Sequence, residues 1–268
     1  MIGAVPALLC VFLQLRLKEP EKWVHARAHG QLTGKQFGSY LSLFGEAQWR
    51  KPALLGMCLC IAGVVGLWGV GFFSPELVGD VLQKAFNAQH LSKGEIDAEK
   101  NIWIGANMVW QNVGAFLGMI TFTKCAQRFG RKPTFAVAYI LAFLSTVGYF
   151  KLFNSKDDVW MSSIMGFCEL GLFAGFAIYL PELFPTRLRS TGTSFCYNVG
   201  RFIALTGPLT LGQLQAFLAG HATTAAAKLE AFRNAACFLS SVFLLGLVAL
   251  YFMEETKGRA MPEDVATT

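Results

Sequence analysis

Six apolar stretches, each about long enough to cross a bilayer, punctuate this chain and leave little room for any other architecture. They cover residues 52–78, 102–123, 133–150, 159–184, 191–218 and 231–253. A helix rising 1.5 Å per residue needs roughly 20 mainly apolar residues to span a hydrocarbon core of about 30 Å. Backbone polar groups must be satisfied within each such segment, so an all-α membrane protein is the expected fold class. Composition agrees: 54% of the 268 residues are hydrophobic and 15% are charged, against about 25% charged in a soluble domain. That excludes a disordered chain, a disulfide-rich secreted module and an ordinary soluble enzyme. A seventh stretch, 2–17, is apolar but shorter. With no basic residue ahead of it, it does not fit a signal peptide; it reads as a spanning helix whose first turns are missing.

Lys and Arg are retained in short cytoplasmic loops. Fifteen of the 23 basic residues fall on one side of the six spans, within 16–51 and 124–132 and at Arg187, Arg189, Lys257 and Arg259. Seven fall on the other side, and Arg201 lies inside a span. The expected topology is therefore a multi-pass protein of the plasma or inner membrane with a cytoplasmic C-terminus. Its net charge of +6 belongs to helix ends, not to a nucleic-acid surface, and no nucleic-acid partner is expected. The expected organisation is a partial helix over 1–17, a cytoplasmic linker over 18–51, a six-helix bundle over 52–254 and a tail over 255–268. Within the linker, Phe37, Tyr40, Leu41 and Phe44 recur at helical spacing, which predicts a short amphipathic surface helix. Residues 79–100 read as an external loop.

Few residues suggest bond-making chemistry. The seven cysteines lie mostly within spans and form no disulfide framework; Cys58 and Cys60, two apart, project to opposite sides of a helix. His25 and His29 share a helix face, but Arg27 stands between them where a zinc-binding H-E-x-x-H motif carries its Glu. No phosphate-binding loop or Gly-x-Ser-x-Gly is present. No metal, cofactor or enzyme activity is expected.

Polar residues inside the spans carry more information. A charge at the bilayer centre costs at least about 2.5–3.5 kcal/mol and is a functional hypothesis by default. Glu169 lies roughly 15 Å inside its span, and Arg201 lies roughly 16 Å from the opposite end of the next, so the two reach a common depth where they could pair. Ser194, Tyr197, Asn198, Leu205 and Pro208 fall on the Arg201 face. Trp103, Asn107, Trp110, Gln111, Gly114 and Gly118 share a face of another span, with Asn107 and Gln111 about 8 and 14 Å deep. This layer has two readings. It lines a transport cavity at the midplane, or it is hydrogen-bonding glue, about 0.6–2 kcal/mol per bond. Glu169 correspondingly sits neutral as a structural donor or carries a proton. Glu76 is either part of an external gate or a water-facing helix end. Glycines at 63, 66, 69 and 71, and Gly171-x-x-x-Gly175, allow close helix packing.

The loops on the basic side then become informative together. Arg128-Phe129-Gly130-Arg131-Lys132-Pro133 resembles the R-x-G-R-[RK] loop of the major facilitator superfamily. Pro181-Glu182-Leu183-Phe184-Pro185-Thr186-Arg187-Leu188-Arg189 resembles its P-E-x-F-P-T-x-x-R signature. Glu255-Thr256-Lys257-Gly258-Arg259 is similar to P-E-T-K-G, with Glu254 where proline is usual, and Pro20-Glu21-Lys22-Trp23 resembles a degenerate P-E-S-P-R-W. Four such motifs occur in the family's order and on the matching face. The resemblance implies a C-terminal half, from part of helix six through helix twelve, with the first six-helix half absent from this chain. It further implies alternating-access transport of a small polar or anionic solute (a sugar, sugar acid or carboxylate), coupled to protons. Asn107, Gln111, Glu169, Tyr197, Asn198 and Arg201 would form this half's share of the solute site. Arg128, Arg131, Glu182 and Arg187, with Glu76 outside, would gate it, Glu182 latching to Arg131 or Arg187. The expected partners are the solute, protons, lipid and an N-terminal half in cis or on another chain. The alternative is a non-transporting membrane scaffold subunit or an inactive fragment.

Overall fold

A computed structural model describes residues 37–87, 92–221 and 224–263, together with Phe12, Leu15, Arg16 and Val24. The expected partial helix over 1–17, the residues from His25 to His29 and Cys10 lie outside the described residues or at their isolated positions. Helices make up nearly all of the described chain: α1 (Tyr40–Gly45), α2 (Ala47–Gly69), α3 (Ser74–Asn87), α4 (Lys93–Phe129), α5 (Arg131–Leu152), α6 (Met161–Glu182), α7 (Arg189–Ala204), α8 (Gly207–Ala219), α9 (Ala225–Leu239) and α10 (Val242–Phe252). A 3₁₀ turn, Gly71–Phe73, joins α2 to α3, so the pair runs as one broken rod. α7–α8 and α9–α10 are broken rods as well. The described residues thus form six rods.

Five of these rods are long and apolar enough to cross a membrane. The remaining one, α4, has 37 residues, about 55 Å of helix; Asn107, Gln111 and Asn112 dilute its apolar centre. Two boundaries differ from expectation. The supposed external loop 79–100 is largely helix, because α3 continues to Asn87 and α4 begins at Lys93. The start of α4 is fixed by a capping box: Ser92 Oγ accepts from the Glu95 N–H, and Glu95 Oε2 accepts from the Ser92 N–H, satisfying two donors that a helix start leaves open. The amphipathic linker helix is only six residues long. Phe37 and Gly38 form a turn ahead of it, so its buried side is Leu43, while Leu41 is 83% exposed. Tyr40 and Phe44 meet Phe195 edge-on, at 6.5 and 4.9 Å.

The bundle is organised around two close pairs, α4 with α6 and α2 with α7, with α10 packed on α2 and α5. Glycine decides the first. A Cβ on Gly114 would lie 1.8 Å from the Ser163 carbonyl oxygen, one on Gly118 2.2 Å from that of Phe167, and one on Gly166 2.1 Å from that of Gln111. The backbones touch because these side chains are missing. Two apolar clusters fill the bundle. The first gathers Leu59, Phe135, Tyr139, Leu172, Tyr179 and Phe243; the second gathers Leu77, Phe86, Tyr149, Phe150, Met165 and Phe232. Along α5 and α6 the clusters meet between Ala142 and Tyr149 and between Leu172 and Met165. Buried polar groups occupy that seam.

Candidate functional site

At the seam, Asn107 is completely buried. Its Nδ2 donates to Ser74 Oγ at 3.1 Å, and its Oδ1 accepts from the Tyr149 hydroxyl at 2.7 Å. Its backbone oxygen accepts from Ser162 Oγ at 3.1 Å. Four rods are thereby tied together. Both ends of the Asn107 amide are thus engaged inside the bundle. Gln111 is half-buried, its backbone lies under Gly166, and its side chain makes no hydrogen bond among the described residues.

Glu169 and Arg201 do not pair. Glu169 is fully buried, with Thr146 Oγ1 2.7 Å from its Oε1. Arg201 lies on the exposed side of α7, its guanidinium carbon 5.5 Å from the centre of the Tyr197 ring. Glu169 points into the bundle and Arg201 away from it. Tyr197 is half-buried and meets Phe173 of α6 edge-on at 6.2 Å. Asn198 is exposed and donates to Ser194 Oγ at 2.9 Å. Ser190, Ser194, Asn198 and Arg201 follow one another at helical spacing along the outward face of α7, a polar stripe on an otherwise apolar rod. A cation–π contact at an exposed site is worth about 0.5–1 kcal/mol. That does not offset the roughly 2.5–3.5 kcal/mol of a mid-span charge.

The basic end of the bundle is a network of ion pairs and helix caps. Arg131 grips Glu182 with two nitrogens, Nη2–Oε1 at 2.7 Å and Nε–Oε2 at 3.0 Å. Thr256 Oγ1 adds a donor to Glu182 Oε2 at 2.5 Å. Arg187 pairs with Glu46, Nη2 lying 2.7 Å from both carboxylate oxygens, so of the two expected latches to Glu182 the one through Arg131 is formed. Arg128 is exposed; its guanidinium stands over Phe129 at 5.5 Å, and its contribution to the network is its carbonyl, which accepts from Lys257 Nζ at 2.6 Å. Glu76 is exposed in the first turn of α3 at the opposite end.

Glu255 caps α5 from far along the chain. Its two oxygens accept from the Arg131 and Lys132 N–H groups, each at 2.9 Å, where the helix macrodipole is positive. Gly130 makes this possible: its φ is +106°, and a Cβ there would fall 2.7 Å from Glu255 Oε2. Burial works against the charged form of Glu255, but backbone N–H groups of Arg131, Lys257, Lys132 and Thr256 overcome it and hold the carboxyl below its usual value of 4.5. Glu46 behaves alike: burial opposes ionisation, while the hydrogen bonds and charge of Arg187, with Gln48 and Trp49, bring it below 4.5.

Arg233 is one of the seven basic residues expected on the external side. It is buried and donates to the Phe150 and Phe153 carbonyls at 2.9 and 2.6 Å, to Lys151 O at 3.0 Å and to Asn154 Oδ1 at 3.2 Å, closing the C-terminus of α5. No local sequence signal marks that role.

A family model described as "Sugar (and other) transporter" matches residues 55–175. The chain is 25% identical to the sialic acid transporter NanX of Escherichia coli strain K12 over 82% of its own length and 48% of that protein. It is 25% identical to the cis,cis-muconate transport protein of Acinetobacter baylyi over 80% of its length and 48% of the relative. With a Cupriavidus pinatubonensis protein named "Probable 4-methylmuconolactone transporter" it shares 27% identity over 79% of its length and 45% of the relative. The chain thus spans about half the length of these curated relatives.

Proposed function

We propose that this chain, whose residues 55–175 match the sugar (and other) transporter family model, is one half-bundle of a secondary transporter of the major facilitator superfamily, for a small anionic organic solute and coupled to protons. The observation that carries the reading is Arg201: a permanently charged guanidinium at mid-span depth, exposed, with no ion-pair partner among the described residues. A carboxylate solute supplies the missing anion and can engage the planar guanidinium through two hydrogen bonds. Tyr197 positions the guanidinium from below, and Asn198 and Ser194 continue the polar track. The names of the relatives, a sialic acid transporter and a cis,cis-muconate transport protein, support a carboxylate.

In this reading residues 52–254 form the bundle that rocks against a second six-helix half, in cis or on another chain, with the C-terminus in the cytoplasm. The Arg131–Glu182–Thr256 cluster and the Arg187–Glu46 pair fasten the cytoplasmic end while the outside is open, and part when it closes. Glu76 stays with the external end. Uptake of radiolabelled cis,cis-muconate and sialic acid by the assembled transporter in proteoliposomes is the test. Arg201→Ala is expected to lower uptake at least about 100-fold, with membrane insertion unchanged. Uptake that survives the substitution removes Arg201 from the site and returns the polar stripe to a scaffold role.

A further inference from the structure

We propose that the groove between α4 and α5 binds an anionic phospholipid of the leaflet at the basic end, its acyl chain in the groove and its headgroup on Arg128 and Lys124. The proposal goes beyond the transport reading and needs only that the bundle lies in a bilayer. Its first support is the shape of the groove. α4 packs closely on α6 and only lightly on α5. Glycines let the α4 and α6 backbones meet: a Cβ on Gly171 would lie 3.3 Å from the Gly118 carbonyl oxygen. A cavity of about 430 Å³ is left beside that crossing, walled by Phe122 and Phe129 of α4 and by Val137 and Leu141 of α5, with Phe167 and Gly171 added by α6. From Gly118 to Phe129 the helix rises roughly 16 Å, about half of a 30 Å hydrocarbon core. The groove therefore has the depth of one leaflet.

The second support is the chemistry of the wall. Of its two hydroxyls, Thr134 Oγ1 donates to the Gly130 carbonyl oxygen at 2.7 Å, and Thr121 is exposed. Cys125 and Cys168 complete the lining, and a free thiol behaves as a small apolar group. Such a wall offers a polar solute little to bind. An acyl chain needs no hydrogen bonds, and its methylenes supply the dispersion contacts that the lining side chains otherwise lack on their open side.

The third support is the charge at the mouth. Phe129, at the basic end of the groove, is 63% exposed, and the Arg128 guanidinium stands over its ring. Lys124, one turn earlier on the same face of α4, is exposed as well. Neither side chain makes an ion pair among the described residues. Exposed Lys257 joins them, its Nζ donating to the Arg128 carbonyl. The Glu255 carboxylate, which caps the start of α5, is engaged by the Arg131 and Lys132 N–H groups. An anionic headgroup at this mouth thus meets three exposed cations, and basic clusters between spans at the membrane surface recognise such headgroups.

Photolabelling of the intact protein in phosphatidylcholine vesicles tests this, and it needs no transported solute. The probes are phosphatidylglycerol and phosphatidylcholine with the same diazirine-bearing acyl chain, and labelled peptides are mapped by mass spectrometry. Wild type is expected to concentrate label in residues 118–141. Phosphatidylglycerol is expected to label that segment at least about fivefold more than phosphatidylcholine, the factor that one basic residue supplies at a membrane surface. Lys124→Gln combined with Arg128→Gln, which keeps the carbonyl that Lys257 uses, is expected to abolish the headgroup preference. Thr121→Trp fills the groove from an exposed position and is expected to reduce labelling by both probes to the level of other lipid-facing segments. If that variant fails to fold, competition on wild type replaces it: excess unlabelled phosphatidylglycerol is expected to displace the label where equal phosphatidylcholine does not, and equal displacement overturns the proposal. Label spread evenly over the exposed helix faces, equal labelling by the two lipids, or a preference or label unmoved by the substitutions likewise overturns it. So does an unlabelled groove, which would mean that residues 2–17 or a second copy of the chain covers it.

Discussion

Arg233 and Arg201 are both arginines within apolar rods, and their neighbours separate them. Arg233 meets four oxygens at 2.6 to 3.2 Å, whereas Arg201 meets a ring face. Arg233→Ala leaves helix-end carbonyls without donors and is expected to lower stability by about 2–4 kcal/mol, seen as a lower thermal midpoint in detergent; Arg233→Lys recovers only part, because an ammonium cannot fork across several carbonyls. Arg201→Ala is expected to hold the same midpoint within about 0.5 kcal/mol while uptake is lost. Sequence reads Arg201 as a charge inside a span and Arg233 as one at an external helix end, but it does not say which of them finds partners, because partnership is not local information. Asn107 makes the same point: its partners Ser74 and Tyr149 are 33 and 42 residues away, so spacing along α4 does not reveal them.

Among the elements, α4 shows how the chain encodes contact by omission. Gly114→Ala drives a methyl into the Ser163 carbonyl and is expected to destabilise by about 1–3 kcal/mol. Gly105, on the same helix, has nothing within 4 Å of a built Cβ, and Gly105→Ala is expected to be neutral or to stabilise by up to about 1 kcal/mol. Chemical denaturation of the two variants side by side checks the contrast; equal effects would remove the close crossing as the cause. The existence of all six rods was legible from apolar length. Their ends were less so: α3 reaches Asn87, past the expected loop boundary, because a helix continues wherever its backbone is satisfied, even after the apolar stretch stops. The breaks at Gly71 and at Thr206 were not legible, since an apolar run does not record where its hydrogen-bond ladder is interrupted.

For the molecule as a whole, the basic end acts as a clasp of charge over an apolar bundle. Glu46 and Glu255 titrate below 4.5 when folded, so both contribute their full stabilisation above 4.5 and lose it as pH falls through the lowered values. A stability profile against pH is expected to drop on that acid limb, and Glu255→Gln to flatten it. Arg131 and Glu182 are only 16% and 15% exposed; a double-mutant cycle to Gln at both is expected to give a coupling of about 1–3 kcal/mol, and additive single effects would dissolve the clasp. Of the four residues expected there on sequence, Arg131 and Glu182 meet each other, Arg187 turns to Glu46, and Arg128 enters through its carbonyl.

Sequence alone determined that this chain is an all-α bundle of apolar rods, because apolar length is a property of neighbouring residues. Tertiary structure alone decided which polar residues face outward and which are consumed inside. A mid-span Asn, Glu or Arg is defined by the partner that satisfies it, and that partner arrives from another helix.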